Sequence, residues 1–173
     1  MTGHVINEHI TINASPDTVW DVVTDLSGRA DYLRSTRKVE LLTDGEYGVS
    51  TTWREDRDLF GHHGTEELHV TQCEGHHTVQ ETRLRHDRVT TAWQVGPSPE
   101  GGAKLMITVT ADMSERNPLE KLAWGLWGEL NFQGTRRHLR HDLEDIRAEA
   151  ERRAGDADGA GGEGGAGAHR GIA

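Results

Sequence analysis

The chain has a single cysteine, Cys73, so it can form no internal disulfide and a cytoplasmic setting is expected. Its N-terminus lacks a basic segment followed by an apolar core, so no secretion signal is read there, and the Asn13-Ala14-Ser15 sequon carries no meaning. No run of 18 apolar residues occurs, so no transmembrane segment is expected. Positive charge is scarce as well: Lys and Arg total 19 against 29 Asp and Glu, a formal net charge of −10. Nucleic acids and anionic membranes select basic surfaces, so neither is an expected partner. A Gly-rich phosphate loop is also missing, because Gly125-x-x-Gly128 falls inside a predicted helix.

The 173 residues suffice for one domain with a real core. We place that domain at 1–153. Residues 154–173 are read as a disordered tail, because from Gly155 the chain is GDADGAGGEGGAGAHRGIA and offers almost nothing to bury. The largest element is a helix from Pro118 to about Arg153. Asn117 can cap it, Pro118 suits its first position, and Gly155 begins its stop. At 1.5 Å per residue it spans about 50 Å, too long for a small domain unless a sheet wraps around it.

Val5 to Ile12 reads as a first strand. Ser15-Pro16-Asp17 then announces a helix carrying Val19, Trp20 and Val23 on one face, with Trp20 as an anchor. Ser27 can cap a second short helix through Tyr32 and Leu33. From Thr36 the period becomes two, giving strands at about 36–43, 48–58, 64–74, 77–86, 88–96 and 103–113. Their separators, such as Asp44-Gly45 and Glu74-Gly75, carry turn chemistry. Short connections force an antiparallel meander.

The segment Ile12-Asn13-Ala14-Ser15-Pro16-Asp17-Thr18-Val19-Trp20, continuing to Asp25, resembles the opening of the START-like (SRPBCC, helix-grip) superfamily, in its polyketide cyclase/dehydrase-like group. Gly48 to Arg54, Ala92-Trp93-Gln94-Val95, Gly101-Gly102 and Arg136 to Glu151 are similar to later parts of the same group, so the resemblance covers about residues 4–153. Where the family often has aromatic-Pro-x-aromatic, this chain has Asp31-Tyr32-Leu33-Arg34. The resemblance implies an α+β helix-grip fold: a seven-stranded antiparallel sheet around a long C-terminal helix, with two short helices between strands 1 and 2. It also implies a cavity between the sheet's concave face and the helix.

Alternation selects the residues that would face such a cavity and bind a ligand: Val49, Thr51 and Trp53, Leu68 and Val70, Thr91, Trp93 and Val95, and Leu105 and Ile107. The helix would offer Leu122, Leu126 and Leu130 across the gap. These positions serve equally as filled core or as the lining of a site for an apolar or aromatic molecule.

Chemistry is harder to locate. The doublets His62-His63 and His76-His77 point to opposite faces if extended, and His138-x-x-His141 has no carboxylate or cysteine partner at metal-site spacing, so no metal site and no cofactor are expected. Cys73 ends a strand with no activating base in view. If catalysis occurs, the resemblance implies acid–base work on a carbonyl compound, with Arg57, Glu81, Arg83 and Tyr32 as candidate groups and Glu55 beside them. Glu55–Arg57 and Glu81–Arg83 serve as well for plain ion pairs. Two functions stay open, a binding module for a lipid-like or aromatic molecule and a polyketide aromatase/cyclase or dehydrase. Leu139, Leu143 and Ile146 lie half a turn out of phase with the stripe at 119–130, at about 100° per residue. A straight helix cannot bury both stripes, so either the axis bends near Asn131–Thr135 or one stripe meets something else. The resemblance puts the second stripe against the sheet, and the first becomes a lid or a homodimer contact.

Overall fold

The computed structural model describes residues 3–59, 62–84, 87–112 and 118–160, with the side chains of 3, 4, 59, 62, 84, 87, 118–132, 158 and 160 outside the description. The strands are β1 (Gly3–Ile12), β2 (Thr36–Leu41), β3 (Thr52–Leu59), β4 (His62–Glu74), β5 (His77–Leu84), β6 (Asp87–Pro97) and β7 (Ala103–Asp112). They form one antiparallel sheet in the order β1-β7-β6-β5-β4-β3-β2. Successive strands pair from β2 onward and β1 pairs with β7, so β1 and β2 become opposite edges. The chain crosses between those edges through α1 (Pro16–Thr24) and α2 (Arg29–Tyr32), and α3 (Pro118–Ala160) follows β7. This is the helix-grip arrangement.

Local chemistry explains α1. Ser15 is extended and its side chain accepts from the Thr18 N–H at 3.1 Å, with Pro16 in the first position and Asp17 in the first turn. The Ser27 cap assigned to α2 does not form. Gly28 takes that position, and its N–H donates to Asp25 Oδ1 at 2.9 Å. Trp20 is half-buried, edge-on to Tyr47 and tilted over His76.

α3 corrects the expected stop. It stays helical through Asn131–Thr135 and through Gly155, ending at Ala160, seven residues beyond Arg153. An Arg152–Asp156 ion pair spans Gly155 within that last stretch. Its second stripe does meet the body of the fold: Leu143, Ile146 and Ala150 are buried in one cluster with Val19, Val22 and Val23 of α1 and with Trp93, Val95, Leu105 and Ile107 of the sheet. Deep burial of such aliphatic chains contributes on the order of 1.5–3 kcal/mol each. The Asn117 cap and the lid and dimer readings of the stripe at 119–130 lie outside the described residues. Among the described residues, no helix is long and apolar enough to cross a membrane.

One turn is fixed by close approach. Gly102 has φ +70°, and a Cβ there would sit 2.2 Å from the backbone carbonyl oxygen of Ile12. Backbone cannot swing aside as a side chain can, so Gly102→Ala is expected to cost about 1–3 kcal/mol from strain and clash together. Urea unfolding measures it, and a loss under about 0.5 kcal/mol, the scale of ordinary surface changes, would show that the β6–β7 turn relaxes freely.

Candidate functional site

Period two along β3 turns Trp53, Glu55 and Arg57 to one face, and this inward row carries charge into the core. Trp53 and Glu55 have no exposed surface. Glu55 Oε2 accepts from the Trp53 indole N–H at 3.2 Å and from Arg29 Nη1 at 3.3 Å, while Oε1 accepts from the Thr36 hydroxyl at 2.6 Å. Arg57 Nε lies 3.4 Å from Glu55 Oε1. Its Nη2 donates to Asp142 of α3 and, at 3.0 Å, to Ser35 Oγ. The Ser35 hydroxyl donates to Asp142 Oδ1 at 2.8 Å, so the loop before β2, the sheet and α3 meet in one network. The Arg29 guanidinium also sits 5.7 Å from the Trp53 ring centroid. Burial opposes the Glu55 carboxylate. Arg29 and Arg57, with Thr36 and Trp53 as donors, outweigh it and hold Glu55 below the usual carboxylate range.

Glu66 of β4 stands directly across from Glu55 in the sheet register. It shares the inward face of β4 with buried Leu68 and Val70. Burial pushes its carboxyl above the usual range. Arg57 pulls the other way, and Glu55 adds to the rise. His138, half-buried on α3, is held below the usual imidazole range by burial, against Asp142 and with help from Arg57. A neutral polar chain runs further along the face: the Gln80 amide N–H donates to Tyr47 Oη at 2.8 Å, and Gln80 Oε1 accepts from the Trp93 indole at 3.4 Å.

The residues chosen from sequence divide into three groups. Trp53, Leu68 and Val70 pack in one buried cluster. Trp93, Val95, Leu105 and Ile107 pack in the other. Thr91 is half-buried on the inward face of β6. Val49 is a correction: β3 begins at Thr52, Ser50 turns the chain with φ +74°, and Val49 is 61% exposed. Thr51 also precedes the strand, its hydroxyl oxygen accepting from the Gly48 N–H at 3.0 Å. The side chains of Leu122, Leu126 and Leu130 lie outside the described residues.

Among the proton-transfer candidates, Arg57 is inward, half-buried and tied into the network above. Glu81 and Arg83 are corrected to the outer face, because Thr78, Gln80 and Thr82 are the buried residues of β5. Glu81 there approaches His69 and Arg88, each at 3.9 Å. Tyr32 is tied to α1, its hydroxyl donating to the Val22 carbonyl at 2.7 Å. Burial pushes the Cys73 thiol up, against a hydrogen bond with Thr78, which is the wrong direction for a nucleophile. Among the described residues, no group of three or more His, Cys, Asp or Glu side chains is placed to hold a metal ion. A separate cleft of about 450 Å³, lined by Thr11, Asn13, Glu100, Gly101, Gly102, Arg147 and Glu151, shares no residue with the inward face described here.

Sequence reasoning passed over Glu66, Arg29 and Asp142. Glu66 had a signal, since it lies two residues before Leu68 and in phase with it.

Residues 3–151 match the family described as polyketide cyclase/dehydrase and lipid transport. No curated protein matches the sequence. Among solved structures, TTHA0849 from Thermus thermophilus superposes with a TM-score of 0.71 at 17% identity, over 87% of this chain and 99% of that one. The ZhuI aromatase/cyclase from Streptomyces sp. R1128 gives 0.69 at 20% identity, over 88% and 96%. A START superfamily protein from Mycobacterium smegmatis gives 0.61 at 14%, over 89% and 99%. At such identities the likeness is one of fold.

Proposed function

The chain belongs to the polyketide cyclase/dehydrase and lipid transport family, and we propose that it binds a hydrophobic or aromatic small molecule between the concave face of the sheet and α3. The observation that carries this reading is a gradient of burial along the inward face. Trp53, Trp93, Leu105 and Ile107 are closed off, whereas Arg57, Glu66, Val89, Thr91 and Val109 point the same way and remain half-buried. An inward face left incomplete at one end, apolar with a few convergent polar groups, has the composition of a small-molecule site. The stripe Leu122, Leu126 and Leu130 would close it from the helix side.

A second reading, acid–base catalysis as an aromatase/cyclase or dehydrase, draws on one specific feature. A half-buried guanidinium, Arg57, and a carboxyl with raised proton affinity, Glu66, share that face. A cation that polarises a carbonyl beside a group that can pass a proton is what enolisation and loss of water require.

Native mass spectrometry of the full chain purified from its own host is expected to show a co-purifying small-molecule mass. Isothermal titration calorimetry with 2-naphthol, a neutral aromatic probe, is expected to give saturable heat. A bare protein mass together with no saturable heat would sink the binding reading.

A further inference from the structure

Two Asp-Gly pairs occur in the chain, Asp44-Gly45 and Asp158-Gly159. Glycine has no Cβ to shield its backbone nitrogen, so an aspartyl carboxyl is attacked most readily by a following glycine. The fold separates the two pairs. Asp158-Gly159 lies in the last turn of α3, where the i→i−4 ladder takes up the Gly159 N–H. Asp44-Gly45 lies in the connection between β2 and β3, and both residues are exposed. Neither the Asp44 carboxylate nor the Gly45 N–H has a hydrogen-bond or ion-pair partner among the described residues. Gly45 has φ +104°, and apart from its chain neighbours nothing lies within 4 Å of where a Cβ would stand. The flanks are pinned. Thr43 Oγ1 accepts from the Thr52 N–H at 2.9 Å, and Tyr47 Oη accepts from Gln80 at 2.8 Å and lies 2.9 Å from the Thr78 hydroxyl.

We propose that Asp44 is a modification site: it isomerises to isoaspartate through a succinimide formed with Gly45, and so presents a carboxylate that a protein isoaspartyl methyltransferase takes as substrate. In the first step the Gly45 nitrogen gives up its proton and bonds to Asp44 Cγ. One carboxyl oxygen leaves as water, carrying that proton and the carboxyl proton. Water then adds to one of the two ring carbonyls. Breaking the bond from Gly45 N to Cγ restores aspartate. Breaking the bond from Gly45 N to the Asp44 main-chain carbonyl carbon leaves the chain running through Cβ and Cγ, with the former main-chain carbonyl as a free carboxylate. The two steps lose and regain one water, so mass and charge are unchanged. The main chain, however, is longer by a methylene. Thr43 and Tyr47 are fixed on either side, so residues 44–46 absorb the extra length and hold the new carboxylate in solvent.

The test incubates the full chain for weeks at neutral pH and body temperature, as wild type, Asp44→Glu and Asp44→Asn. Peptide chromatography with mass spectrometry maps the products, and recombinant protein isoaspartyl methyltransferase with labelled S-adenosylmethionine counts the isoaspartyl carboxylates. Wild type is expected to give a second form of the peptide holding Asp44 and Gly45, identical in mass and carrying methyl label. The peptide holding Asp158 should gain isoaspartate at least about fivefold more slowly, the scale of one helical hydrogen bond. In concentrated urea, where that ladder is gone, the two pairs should react alike. Asp44→Glu should lose the label at this position, because a glutamyl side chain must close a larger and slower ring. Asp44→Asn should reach the same succinimide faster, with ammonia leaving in place of water. Both substitutions fall on an exposed side chain without partners, so the fold is kept. No isoaspartate at Asp44 in native wild type, an Asp44→Asn chain that does not react, or Asp158 reacting as fast as Asp44 would each overturn the inference. None of these outcomes touches the binding reading above.

Discussion

Glu55→Ala is expected to cost about 3–5 kcal/mol of folding stability, because it strands two cations rather than deleting a contact. Arg29 is 5% exposed, and Glu55 is the carboxylate paired with it at 3.3 Å. Arg57 keeps Asp142 but loses its second carboxylate. The Thr36 hydroxyl and the Trp53 indole lose their acceptor at the same time. An exposed ion pair would give about 0–1 kcal/mol, so the size of the loss reports how dry this cluster is. Urea denaturation with an unchanged slope would measure it. The pair Arg29→Met with Glu55→Leu should recover much of the loss, since the desolvation cost leaves with the charges. A loss below about 1 kcal/mol for Glu55→Ala would mean that water enters the cluster and that the inward face is far more open than its geometry indicates.

The same carboxylate shapes acid stability. The folded-state proton affinity of Glu55 is lowered, so its contribution is complete above the unfolded glutamate range and is lost as pH falls through the depressed folded value. Glu66 runs the other way. Its folded value is raised, so its ionisation costs stability as pH climbs from the unfolded range through the folded one.

How much of this could be read from the chain differs by element. The strand order and the two short helices follow from turn residues and period-two alternation, and Leu143 and Ile146 follow from helical phase. The charged heart of the face does not. On β3 the phase was set by Trp53, which carried Glu55 and Arg57 with it correctly. On β5 the buried residues Thr78, Gln80 and Thr82 are all polar, so hydrophobic alternation marks no inward phase there, and the candidates Glu81 and Arg83 fall on the outer face. A register shift between Val70 and Gln72 of β4 adds to the difficulty, because strict alternation cannot be carried through an irregularity. Arg29 is hidden for another reason: it opens a four-residue helix, where no periodicity exists to say that a guanidinium is buried. Val49 fell to backbone geometry, since a serine at positive φ gives little warning in sequence.

Trp53→Ala is expected to match the Glu55 loss, at about 3–5 kcal/mol, as deletion of a large, fully enclosed aromatic does. Trp53 has no exposed surface, packs with Leu26, Leu68 and Val70, and lies beneath Arg29. The pair Trp53→Phe and Trp53→Ala separates its two roles. Phenylalanine restores most of the ring packing but has no indole N–H for Glu55 Oε2, so its cost should contain a hydrogen-bond part of about 0.5–1.5 kcal/mol and a modest volume part. Ligand binding provides the sharper contrast. A side chain enclosed on every side offers a ligand no surface, so Trp53→Phe should hold 2-naphthol as wild type does, whereas Trp93→Phe, at the margin of the half-buried row, should change the fluorescence response to that probe. If Trp53→Phe stays fully stable yet loses 2-naphthol, the ring is a wall of the site and not its foundation, and the enclosed end of the sheet must open when the ligand enters.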